Sequence, residues 1–215
     1  MKVGFIGLGN AGGKLAGSIL RNGFDLTVHD LNTSFVEDFI KRGAKSVNSP
    51  REMAERCDVV ITCLPSPKAC SEVMESSDGI LSGLSKGKIW LEMSTTDEAE
   101  IRRIGSLVEA IGALPIDCPV SGGCHRADTG NISIFAGCSR EAFEKALPIL
   151  TTMGRRVLHT GSLGTASTLK VMTNYLATVN LASIAEALTT MKKLGMDMNV
   201  TYEAIKASSG TSFVH

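Results

Sequence analysis

The sequence predicts an α/β fold: a doubly wound, mainly parallel sheet, followed by a long helix and the start of an all-helical region. Three observations carry this. Short apolar, β-branched runs alternate with helical spacing over the first three quarters of the chain. A glycine triplet stands between the first such run and the first helix. Beyond Gly164 the alternation stops, and helical spacing continues without a proline to Leu194.

The elements follow in order. Lys2–Ile6 reads as a first strand and Lys14–Arg21 as a helix ended by Asn22 and Gly23. Leu26–Asp30 reads as a second strand. Asp58–Leu64 is a near-continuous apolar run stopped by Pro65 and Pro67, as expected of a parallel strand buried on both faces. Lys88–Glu92 is another. Thr96–Ala110 has helical spacing, with Ile101, Ile104, Leu107 and Val108 apolar. Ala113–Asp117 and Ile132–Ala136 read as strands. Phe143, Leu147 and Leu150 mark a helix, and Arg156–His159 a last short strand. From Thr165 the apolar residues Leu169, Met172, Leu176, Val179, Ile184, Leu188 and Met191 hold helical spacing, which predicts a helix about 45 Å long. That helix is too apolar for a solvated linker, so it needs packing on several sides. Asn199–Ala207 reads as one more helix. Two domains are expected, at 1–162 and 163–215.

Bulk composition narrows the class. The 215 residues are 43% hydrophobic and 20% charged, as in an ordinary globular protein. Lys+Arg and Asp+Glu both number 22, so no net charge draws the chain to nucleic acid or an anionic membrane. No apolar stretch has membrane-spanning length. The first strand starts at the second residue, which leaves no room for a signal peptide. The six cysteines form no CxxC pair and no Cys/His cluster of zinc spacing, so no metal site is expected. Reduced thiols in a cytoplasmic compartment fit this usage. A mitochondrial matrix fits equally if a targeting segment is missing from the chain.

The triplet Gly7-Leu8-Gly9-Asn10-Ala11-Gly12, between strand and helix and with Asp30 about twenty residues on, is a dinucleotide-binding fingerprint of the Rossmann type. Gly7 permits the tight turn, Gly9 lets a pyrophosphate approach the backbone, and Gly12 lets helix and sheet pack closely. The helix N-terminus presents N–H groups and its positive dipole end to the phosphates. Asp30 would accept from the ribose 2′-hydroxyl and repel a 2′-phosphate, which favours NAD over NADP.

Ligands of open α/β sheets bind beyond the carboxyl ends of the strands. Leu64-Pro-Ser-Pro67 lies there, either as a rigid loop beside the cofactor or as a simple strand stop. In Glu92-Met-Ser-Thr-Thr96, a hydroxyl of Ser94 to Thr96 either caps the next helix or faces the nicotinamide ribose. Asp117-Cys-Pro-Val-Ser-Gly-Gly123 brings Ser121, Gly122 and Gly123, either a carboxylate cradle or a flexible glycine turn. Cys118 and Cys124 flank it and read as buried, inert thiols. His125 and Arg126 follow, either near a substrate's distal acid or on the surface. On the long helix, Lys170 and Asn174 share a face at i, i+4. Lys170 either snorkels to the surface or serves as the proton acceptor that hydride removal from an alcohol requires.

Together these motifs resemble the β-hydroxyacid dehydrogenase family. Phe5–Gly12 matches its cofactor motif, Asp117–Gly123 its substrate motif, and Gly161–Gly164 with Lys170–Asn174 its catalytic motif. The resemblance implies NAD(P)-dependent, metal-free oxidation of a small β-hydroxy acid to its semialdehyde, by a homo-oligomer. It implies that Lys170 is the catalytic acid/base and that Asn174 orients it or the substrate. It further implies that Ser121 and Gly122 hold the carboxylate and that Leu64, Pro65 and Thr95 contact the cofactor. Alternatives are a 6-phosphogluconate-type decarboxylating dehydrogenase and a non-catalytic NAD-binding scaffold. Ala11 replaces a methionine frequent in the family, and Ala166 a glycine. The family continues through several helices past the position of His215, so the chain resembles a C-terminally truncated member. In such a chain the long helix exposes a large apolar surface.

Overall fold

The apolar runs read from the sequence become strands of one sheet. The computed structural model describes residues 1–212; the stop at His215 lies outside them. In chain order the elements are β1 (Lys2–Ile6), α1 (Gly12–Arg21), β2 (Asp25–His29), α2 (Thr33–Lys41), β3 (Lys45–Ser46) and α3 (Pro50–Arg56). Next come β4 (Val59–Thr62), α4 (Pro67–Glu75), α5 (Ile80–Gly83), β5 (Ile89–Glu92), α6 (Glu98–Ala110) and β6 (Leu114–Asp117). Then follow β7 (Val120–Ser121), α7 (Cys124–Asp128), β8 (Ile132–Gly137), α8 (Arg140–Met153), β9 (Gly154–Gly161), α9 (Thr165–Lys193) and α10 (Met198–Lys206).

The sheet order is β3-β2-β1-β4-β5-β6, all parallel, the doubly wound order with its switch point between β1 and β4. Beyond β6, β8 runs antiparallel to both β6 and β7, and β9 runs parallel to β8. Continuous apolar runs make sense here because both faces are buried. Val59 and Ile61 enter one core with Leu15, Ile19 and Phe143; Val60 enters the other with Met53, Trp90 and Ile104.

Several boundaries differ from expectation. α1 begins at Gly12 rather than Lys14. α6 begins at Glu98, because the Asp97 carboxylate, not a hydroxyl of Ser94 to Thr96, accepts from the amides of Ala99 and Glu100. The chain divides into two units, Met1–Lys170 and Val171–His215. The expected many-sided packing of the long helix is not found. Its buried residues are Ala166 and Ser167, and Leu176 and Leu181 are each 56% exposed. The apolar stripe has the predicted spacing, but among the described residues little covers it. Among the described residues no helix is long and apolar enough to cross a membrane.

Candidate active site

Three carboxylates stand at the carboxyl ends of strands in the first unit, and each organises one candidate loop. Asp30 follows β2. One of its oxygens accepts from the Leu8 amide at 2.6 Å and the other from the Asn32 amide at 2.7 Å, so it holds the glycine loop from beneath. The turn itself depends on Gly7, whose φ is +94° and whose added Cβ would collide with the Cys63 carbonyl. An added Cβ at Gly12 would likewise collide with the Gly7 carbonyl, so α1 packs hard against the turn. At Gly9 a Cβ would meet nothing within 4 Å, and Gly9 and Asn10 are exposed. No side chain caps α1, and its first turn carries no acid. An open backbone at a helix N-terminus without a side-chain cap fits a pyrophosphate. Asp30 uses one lone pair on each oxygen for these amides and retains acceptor capacity for ribose hydroxyls.

Glu92, the last residue of β5, is fully buried. It accepts from the Thr62 hydroxyl at 2.7 Å, the Cys70 thiol at 2.8 Å and the Ser94 amide at 2.7 Å. Trp90 donates to the same Thr62 hydroxyl at 3.0 Å. Burial outweighs these bonds and raises the Glu92 pKa above the ordinary carboxylate range. Ser94 passes the network on: its hydroxyl accepts from the Leu64 amide at 2.7 Å, which fixes the β4 exit. Pro65 is exposed just beyond, Ser66 caps α4, and Pro67 occupies its first turn. Burial, then Glu92 and Cys124, push the Cys63 thiol up to about 12, so the β4 exit, the β5 end and the start of α7 share one electrostatic environment. Thr95 is exposed. Its neighbour Thr96 has the one buried side-chain oxygen without a hydrogen-bond partner among the described residues.

Asp117, the last residue of β6, is also fully buried. It accepts from the Ser167 amide at 2.7 Å and the Ser167 hydroxyl at 2.6 Å, with further amides from Gly164 and Ala166. It therefore caps the start of α9. Burial raises its pKa despite these donors. Ser167 precedes Lys170 by three residues and lies on the same helix face. Lys170 is half-buried, and burial lowers its pKa. Asn174 stands one turn further along α9, exposed and within the second unit. Downstream of Asp117, Ser121 pairs with Ser133 across β7 and β8, so the Ser121–Gly123 segment is held by a sheet edge rather than hanging as a free turn. Gly122 has a φ of +129° and Gly123 of +85°, and both are accessible. Cys118 is buried, but Cys124 is exposed at the first position of α7, so only one of the two expected buried thiols is buried.

The structure thus ties Gly7–Gly12 to Asp30, Leu64 to Ser94 and Glu92, and the β6 end to the helix face of Lys170. Nothing along the chain signals the buried roles of Glu92, Thr96 and Asp117. A polar residue at a strand end ordinarily reads as the element's exposed terminus.

Comparison with known proteins agrees with this architecture. A family model described as the NAD binding domain of 6-phosphogluconate dehydrogenase matches residues 2–161. A second, described as the NAD-binding of NADP-dependent 3-hydroxyisobutyrate dehydrogenase, matches residues 164–215. The mitochondrial 3-hydroxyisobutyrate dehydrogenase of Mus musculus is 34% identical over 208 residues, 97% of this chain and 62% of that protein. The 2-(hydroxymethyl)glutarate dehydrogenase of Eubacterium barkeri is 32% identical over 213 residues, 99% of this chain and 71% of that protein. The solved structure of a Mycobacterium tuberculosis 3-hydroxyisobutyrate dehydrogenase with L-serine superposes with a TM-score of 0.92 at 25% identity, covering 99% of this chain and 72% of that one. The chain spans about 62% of the length of the mammalian relatives.

Proposed function

The chain belongs to the β-hydroxyacid dehydrogenase family, and from that premise we propose that the whole protein transfers a hydride between NAD and a small β-hydroxy acid of the 3-hydroxyisobutyrate kind. When bound, NAD supplies the hydride acceptor. The remaining work belongs to the chain. The Gly7–Gly12 loop and the start of α1 hold the pyrophosphate, with Leu8, Asn10 and Ala11 presenting the backbone. Asp30 accepts from the ribose hydroxyls and disfavours NADP. Leu64, Pro65 and Thr95 border the nicotinamide half. Ser121 and the amides of Gly122 and Gly123 hold the substrate carboxylate. Lys170 takes the hydroxyl proton as the carbinol loses its hydride, and returns one in the reverse direction. Asn174 orients Lys170 or the substrate.

The observation that carries this proposal is the state of Lys170. Its helix is tied by Asp117 to the carboxyl edge of the sheet, the edge where the glycine loop lies, and burial lowers its pKa. A lysine shifted in this direction is a better proton acceptor near neutral pH than an exposed one. The reading carries with it a homo-oligomer in a reducing compartment, the cytoplasm or a mitochondrial matrix. The test is a screen of small hydroxy acids for NADH formation, run in parallel with NADP. Turnover of a β-hydroxy acid with preference for NAD is expected. Absence of turnover across the screen, or release of CO₂ with each reduced cofactor, overturns it.

A further inference from the structure

At the sheet edge beyond β6, Ile132 of β8 pairs with Gly154 of β9, but the next residue, Ser133, pairs with Arg156. Arg155 is therefore the extra residue of a β-bulge. In a regular strand, consecutive side chains point to opposite faces. A bulge breaks that rule and re-aims one of them. Here Arg155 and Arg156 both line one cavity of about 310 Å³, together with Arg126 of α7, Asn131 and Ser133. Gly154 makes the close strand approach possible, since a Cβ there would lie 2.7 Å from the Ile132 carbonyl oxygen.

The charge in this cavity is unusual for a chain with no net charge. Most other arginines close salt bridges onto carboxylates: Arg103 onto Glu75 and Glu100, and Arg140 onto Glu144. Among the described residues Arg155 and Arg156 close none, and no acid lines the cavity. The Arg155 and Arg156 guanidinium groups, with no salt bridge among the described residues, repel each other, and a planar or tetrahedral oxyanion relieves that repulsion through paired N–H bonds. The lining supplies only polar groups besides: an amide and a hydroxyl.

The position is as telling as the charge. Ser121, Ser133 and Arg156 form one row across β7, β8 and β9, so Arg156 lies about 10 Å from Ser121 along the hydrogen-bonding direction. Gly122 adjoins Arg126, whose Cδ would stand 3.0 Å from a Cβ added at Gly122. We propose that Arg126, Arg155 and Arg156 form a binding site for a phosphate- or carboxylate-type oxyanion bordering the Ser121–Gly123 loop. The anion is either a second acidic group on the substrate or a free oxyanion. The site itself does not depend on the dehydrogenase reading.

Calorimetric titration of the whole protein with inorganic phosphate tests it without cofactor or turnover, so its failure is separable from failure of the proposed reaction. Saturable binding is expected. Arg155→Ala and Arg156→Ala, both exposed residues whose loss leaves the cores intact, each weaken it about tenfold. Arg140→Ala, which removes an equal charge elsewhere, leaves it unchanged. Repeating the titration with a β-hydroxy monoacid and with a β-hydroxy diacid assigns the source. Displacement by the diacid alone identifies a substrate tail, and displacement by neither identifies a free oxyanion. Phosphate binding that is absent, or that the two arginine substitutions do not weaken, overturns the site.

Discussion

At the carboxyl end of β2, Asp30 does two jobs. It accepts the Leu8 amide, which shapes the glycine loop, and it presents negative charge where the adenosine ribose is proposed to lie. Asp30→Ala is expected to weaken NAD binding at least tenfold, from loss of charged hydrogen bonds, and to raise the ratio of NADP to NAD use. Steady-state kinetics with both cofactors checks this; an unchanged ratio contradicts the assigned role. Glu92 gives a prediction with a sign. Its native pKa is raised, so the folded state binds its proton more tightly than the unfolded chain does. The stability this adds is full below the ordinary carboxyl range and is lost as pH climbs through the raised native value. Relative to Glu92→Gln, the wild-type protein should therefore lose stability as pH rises, measured by denaturant unfolding. Trp90, the only tryptophan and fully buried on the same network, provides the fluorescence signal. Wild-type stability that rises relative to Glu92→Gln as pH increases, or that does not change, contradicts the raised Glu92 pKa. Neither network could be read from the sequence. Glu92 and Thr62 lie thirty residues apart and meet only because β4 and β5 are neighbours in register.

Among the elements, the junction between β6 and α9 has the most consequence. Asp117 fills the role of a side-chain cap from outside the helix, and the four groups it accepts fix where α9 begins. Asp117→Asn removes the negative charge at the positive end of the helix and leaves one oxygen in place of two. About 1–3 kcal/mol of stability should be lost, with kcat falling more than KM rises and NAD affinity held. Ser167→Ala, which keeps the amide bond, should lie between the two. Loss of NAD binding in step with kcat would point to general unfolding instead of a displaced Lys170. The sequence made the parallel strands legible because burial on both faces writes continuous apolar runs. The two-residue strands β3 and β7 and the antiparallel direction of β8 were not legible, since composition carries no strand direction. The bulge at Arg155 is a property of two strands together, so a reading along one chain passes over it.

For the whole molecule, the central claim is that one lysine on α9 completes a reaction for which the doubly wound domain holds the cofactor. Because burial lowers the Lys170 pKa, the rate of alcohol oxidation should rise with pH through an apparent value below the ordinary lysine range. The glycine loop, Asp30 and the Lys170 and Asn174 spacing were all visible in the sequence, because each is a local pattern of strand, turn or helix face. The loop-to-strand ties that arrange them were not, because each joins residues distant in the chain. The most direct measurement is NADH formation by the whole protein with a turned-over β-hydroxy acid, compared between wild type and Lys170→Ala, alongside NAD affinity by calorimetry. The account predicts at least a hundredfold loss of rate, as for removal of a general acid/base, with NAD affinity nearly unchanged. Retained turnover in Lys170→Ala would contradict it.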